Sequence, residues 1–82
     1  TLAVIRKITN PGDKLERPPA LGELVIHCVR GMVRFTVGDE SHVLRDGDTI
    51  QFALDAGCII ETLGEEKAEM FGFVSTPGRR GW

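Results

Sequence analysis

A chain of 82 residues with 41% hydrophobic content and a formal net charge of −2 has the size of one domain. A domain this small buries only about 60–65% of the surface its unfolded chain exposes, so its core is thin and a partner subunit is expected. The charge is spread along the sequence, and the isolated pair Arg79-Arg80 is too short to track a phosphate backbone, which sets nucleic acid aside as a partner.

Leu2 to Ile8 reads as an opening strand. Its apolar run Leu2-Ala3-Val4-Ile5 stops at Arg6-Lys7, far short of a signal-peptide core or a membrane span. The expected setting is the cytoplasm, without a membrane partner. Thr1 stands where an initiator methionine is absent, so the chain reads as processed, trimmed or cut from something longer. Asn10-Pro11-Gly12-Asp13 then places four turn-favouring residues in a row. Leu15 to Gly22, LERPPALG, reads as an irregular Pro-rich connection, since Pro18-Pro19 removes two ladder donors.

From Leu24 onward short β runs follow one another: LVIHCVR, MVRFTV, SHVLR, TIQF, CIIETL and AEMFGFV. β-branched and aromatic residues dominate them, and Gly-Asp-Glu and Arg45-Asp46-Gly47-Asp48 punctuate them as turns. Alternation puts Val33, Phe35 and Val37 on one face and Met32, Arg34 and Thr36 on the other. Leu24 to Val29 is apolar on both faces apart from His27, which predicts a strand covered on each side. Gly64 to Met70 reads as a hairpin tip between two strands, and Pro77 to Trp82 as a tail with Trp82 its one sticky element. No segment has sustained helical spacing, so the expected class is all-β, an antiparallel sandwich or barrel.

Cys28 and Cys58 lie in apolar strands, and neither belongs to a CxxC unit. They read as buried thiols acting as small hydrophobes in a reducing compartment. His42 is expected to be exposed, and neither it nor His27 has a Ser or Asp at a spacing that suggests a nucleophile and its base. Arg30, Arg34, Asp46, Asp48 and Asp55 read as solvated charges around the turns.

The succession of strand, Arg30-Gly31, strand, Gly38-Asp39-Glu40, strand, Asp46-Gly47-Asp48, strand, Asp55-Ala56-Gly57, strand resembles the small single-domain cupins over Glu23 to Val74. Gly31 and Gly47-Asp48 are its most specific parts. The resemblance implies one antiparallel jelly-roll barrel spanning residues 1–82. It also implies degenerate metal motifs: the family's His-x-His region falls around Pro18-Pro19-Ala20, its acidic position around Glu23 or Leu24, and its third histidine on Cys58. Adjacent His27 and Cys28 point to opposite faces of a strand and so do not close on one ion. No metal, no other cofactor and no catalytic residue is expected.

The same resemblance, through the parity of the family's ligand-bearing position, places Leu24, Ile26 and Cys28 on the barrel-lining face. It places Cys58, Ile60 and Thr62 on the corresponding face of the later strand. A lining of this kind suits a small apolar or aromatic molecule. Binding, or a sensory or structural role, therefore ranks above catalysis, the alternative being a cupin-type metal-dependent dioxygenase or isomerase. A homodimer is expected through a sheet edge or the N-terminal strand.

Overall fold

The computed structural model describes residues 2–76; the tail expected at residues 77–82, with Trp82, lies outside them. Eight strands follow in order: β1 (Leu2–Thr9), β2 (Lys14–Arg17), β3 (Glu23–Arg30), β4 (Met32–Val37), β5 (Glu40–Arg45), β6 (Thr49–Ala53), β7 (Cys58–Leu63) and β8 (Ala68–Ser75). One 3₁₀ turn at Leu54–Ala56 separates β6 from β7. The strands form two four-stranded sheets, β1-β8-β3-β6 and β2-β7-β4-β5, and every ladder is antiparallel. This is the strand order of a jelly roll. The fold is all-β, as expected, and takes the form of two facing sheets.

Alternation decides what lies between the sheets. In β3, Leu24, Ile26 and Cys28 are buried, while Val25 and His27 are partly exposed and Val29 is exposed. In β4, Val33 and Phe35 are fully buried, Val37 is partly buried and Arg34 faces water. Removing a side chain such as Val33 or Phe35 from water contributes roughly 1.5–3 kcal/mol. Phe35 from one sheet meets Phe52 from the other at 4.4 Å between ring centroids and 57° between planes, a tilted aromatic pair that joins the two layers.

Three expectations need correction. Residues 14–17 are not an irregular connection: Lys14–Arg17 is a strand paired with β7, because Pro18 and Pro19 lie just beyond the ladder rather than inside it. The segment before Met70 is not a hairpin tip, because β7 and β8 belong to different sheets and the chain crosses between them there. Nor is β3 covered on its outer face by any described residue; Val29 there is 38% exposed and Phe73, on the neighbouring strand, 36%. Val25 and Phe73 are in register with Val4 and Gln51, so this row runs across the whole outer face of the first sheet.

The turns at one end of the sandwich are tied to each other. The Gly31 amide donates to the Asp46 carboxylate at 2.7 Å, and the Gly47 amide donates to the Cys28 carbonyl at 2.7 Å. Asp48 accepts from the Arg45 amide at 2.9 Å, at the end of the preceding strand rather than the start of the following one. Arg30 and Arg34 pair with Glu69 at 3.3 Å and Glu61 at 3.2 Å, not with the turn aspartates. Gly31 has φ of 94°, and a Cβ built there would lie 2.7 Å from the Ala68 backbone. Gly47 also has positive φ, 86°, yet a Cβ there meets nothing within 4 Å.

Gly31→Ala is therefore expected to lose more stability than Gly47→Ala. The second carries only the left-handed backbone strain of about 1–2 kcal/mol, and the first adds a backbone clash. Urea unfolding of the two variants reads the difference; equal losses would mean that the β3–β4 turn relaxes away from Ala68.

Candidate ligand-binding cavity

A cavity of about 250 Å³ opens between the sheets on the side of β1 and β2. Its walls are apolar: Ile5, Leu24, Ile26 and Met70 from the first sheet, Leu15 and Ile60 from the second. By liquid volume it is the size of about eight waters at roughly 30 Å³ each, below the usual span of drug-sized sites.

The register explains why space remains here. Across the inner face of the first sheet, Ile5, Gly72, Ile26 and Ile50 form one row. Gly72 leaves that row without a side chain between two isoleucines, and it borders the cavity. On the opposite side of the sandwich the Phe35–Phe52 pair fills the same layer. A glycine inside a strand is a recognised mark of a close approach by a ligand or another backbone. Gly72 within AEMFGFV is the one trace of the cavity in the sequence.

Two cations border the same cavity, Lys7 on β1 and Arg17 on β2. Lys7 shares the inward parity of Ile5 and is in register with buried Met70; Arg17 shares the parity of Leu15 and is in register with buried Cys58. Neither forms an ion pair among the described residues. Their inward placement shows only once β1 and β2 are known to face each other from edge positions of opposite sheets, so the sequence alone did not single them out.

The six lining candidates divide. Leu24, Ile26 and Ile60 border the cavity. Cys28 does not: it is fully buried at the far end of β3, where its thiol reaches the Arg30 carbonyl at 3.5 Å. Thr62 does not either, because its hydroxyl is engaged with that of Thr9 at 2.6 Å in a buried bond between the two sheets. Cys58 borders a neighbouring depression with Pro18, Pro19 and Ala56.

A metal does not fit this donor set. Glu23 faces outward and accepts a hydrogen bond from Gln51 at 2.8 Å, leaving Leu24 as the inward residue. His27 faces outward against Thr49 at 2.7 Å, and His42 sits in solvent beside Glu40. Among the described residues no three His, Cys, Asp or Glu side chains converge, whereas a typical site needs three or four ligands.

Against known proteins, no family model matches the chain, and a search of curated proteins finds no match. Solved structures match closely in shape. The cupin domain of an XRE-family transcriptional regulator from Enterobacter cloacae superimposes with a TM-score of 0.87 at 15% identity, covering 94% of this chain and 83% of that one. An HTH_3-family transcriptional regulator from Vibrio cholerae gives 0.85 at 20% identity, over 94% of this chain and 44% of the regulator. A cupin superfamily protein from Desulfitobacterium hafniense gives 0.81 at 13% identity, over 92% of this chain and 67% of that one. The chain has the fold of a small cupin. Among the described residues, no helix is long and apolar enough to cross a membrane.

Burial raises the pKa of both thiols above the ordinary range. At Cys28 the Asp46 and Asp48 carboxylates add to the effect, and at Cys58 the Arg17 guanidinium partly opposes it. Because the folded chain holds these protons more tightly than the unfolded one, the unfolded state deprotonates first as pH rises. Stability from this source is intact below the ordinary thiol pKa of about 8.5 and is lost above it. We expect slow reaction with a thiol reagent at neutral pH, rapid reaction in denaturant, and a melting temperature that falls as pH climbs through that range. Fast labelling of either cysteine in the folded protein would contradict the burial described.

Proposed function

We propose that this chain is a metal-free binding domain, cytoplasmic, which holds a small apolar or aromatic molecule between its sheets. The observation that carries the reading is the apolar cavity opened by Gly72, in a sandwich whose histidines both face away from it. Two similar domains belong to transcriptional regulators, which favours an effector-sensing role for this one over catalysis. A second copy of the chain completes the proposal: β1 is a sheet edge, and it exposes Leu2, Val4 and Ile8. Continuing β1 across a two-fold axis supplies its missing ladder.

Native mass spectrometry beside elemental analysis of one preparation tests all three parts. The expected result is a dimer without stoichiometric transition metal that retains a small molecule, or takes one up from a library of small aromatics. Gly72→Val puts two methyl groups into the cavity; a Cβ at Gly72 meets only Leu24 Cδ1, at 3.7 Å. That variant should fold with stability within about 1 kcal/mol of the parent and lose the ligand. Stoichiometric metal in the parent would overturn the metal-free reading and bring an oxygenase or isomerase forward. A ligand retained by Gly72→Val would move the site elsewhere.

A further inference from the structure

The cavity is apolar in its walls and cationic at its border. Lys7 and Arg17 come from strands at facing edges of different sheets, and both occupy inward positions that alternation otherwise fills with Ile5 and Leu15. Arg17 is only partly exposed, and its guanidinium is close enough to Cys58 to act on the thiol's ionisation. Glu16, the one acidic residue bordering the cavity, is exposed and sits at an outward register position opposite Ile59. Two cations without carboxylate partners therefore flank a hydrophobic hollow. Of the other arginines of the sheets, Arg6, Arg30 and Arg34 are paired with Glu69 or Glu61, and Arg45, at the end of β5, has no ion pair among the described residues but does not border this cavity.

We propose that the ligand is a small monocarboxylate with an apolar body: the body fills the hollow beside Gly72, and the carboxylate is held by Lys7 and Arg17. This rests on the binding reading above and adds the chemical class of the ligand. Guanidinium groups bind carboxylates through two parallel N–H donors, and ammonium groups bind them as point charges, so the two residue types complement each other. A charge-assisted bond formed beside apolar walls is less screened than one in open water. On β2, the edge of the other sheet, an inward-pointing Arg17 also discourages edge-to-edge pairing. That role demands no preference for anionic ligands, which gives the test its contrast.

The probes are hexanoate and phenylacetate against their uncharged counterparts hexanol and phenylethanol. Affinities come from calorimetry and positions from backbone-amide NMR of the full chain. Both carboxylates should shift the amides of Ile5, Leu24, Ile26 and Ile60 and bind about tenfold or more tightly than the alcohols. Added salt should narrow that gap. Lys7→Gln and Arg17→Gln should each weaken the carboxylates several-fold while leaving the alcohols unchanged; Arg17→Lys should keep most of the preference. Lys14→Gln, on the exposed outward side of β2, should change nothing.

Alcohols that bind as tightly as carboxylates at the cavity amides would overturn the carboxylate assignment and leave the binding reading standing. A preference that survives both Gln substitutions would overturn the roles of Lys7 and Arg17. Failure of all four probes to shift the cavity amides would overturn both readings. The comparison of acid with alcohol on the parent chain needs no variant to fold.

Discussion

Everything in this molecule hangs on the contact between two sheets that are each too small to persist alone. Among the described residues twelve hydrophobic ones form the buried core, and the Phe35–Phe52 pair binds the layers directly. A two-layer β domain survives only if one face of every strand is apolar and all those faces meet, because slipping a strand by one residue sends its apolar set into water. The jelly-roll order makes that demand severe, since neighbours in sequence largely sit in different sheets. The paired turns around Gly31, Asp46 and Gly47 hold the register at one end, and the Thr9–Thr62 bond joins the sheets near the end of β1.

The cavity follows from the same constraint. An inner layer filled from both sheets closes where side chains are large, as at Phe35 and Phe52, and stays open where one is missing, as at Gly72. Strands β1 and β2 border the opening because they are the edges of their sheets. Their inward positions reach both the hollow and water, which is where Lys7 and Arg17 can be charged at small desolvation cost and still act on a molecule in the hollow. Cys58 lies opposite Arg17 in the ladder, and burial raises its pKa against the opposing effect of the guanidinium.

Much of the fold was legible because β structure writes itself with period two. Val33, Phe35 and Val37 were assigned to one face from spacing alone, and glycine and aspartate marked the turns between strands. The short strand β2 was not legible, because four residues running into Pro18-Pro19 carry too little alternation to outweigh a Pro-rich signal. The crossing before Ala68 was read as a hairpin because a tight turn has the same composition whether the chain reverses within one sheet or passes to the other. At the cavity, Leu24, Ile26 and Ile60 followed from strand parity together with the cupin resemblance. Cys28 and Thr62 shared that parity but lie too far along their strands, a distance that parity does not encode. Lys7 and Arg17 required the pairing of distant segments, which no local pattern contains.

An apolar hollow lies between the sheets beside Gly72. Xenon is the most direct probe, since it enters apolar cavities by size and polarisability without needing polar contacts. Crystals pressurised with xenon should show an atom in contact with Ile5, Ile26, Ile60 and Met70 in the parent chain and none there in Gly72→Val. Xenon found only at other positions, or a parent cavity filled by repacked side chains, would contradict the account.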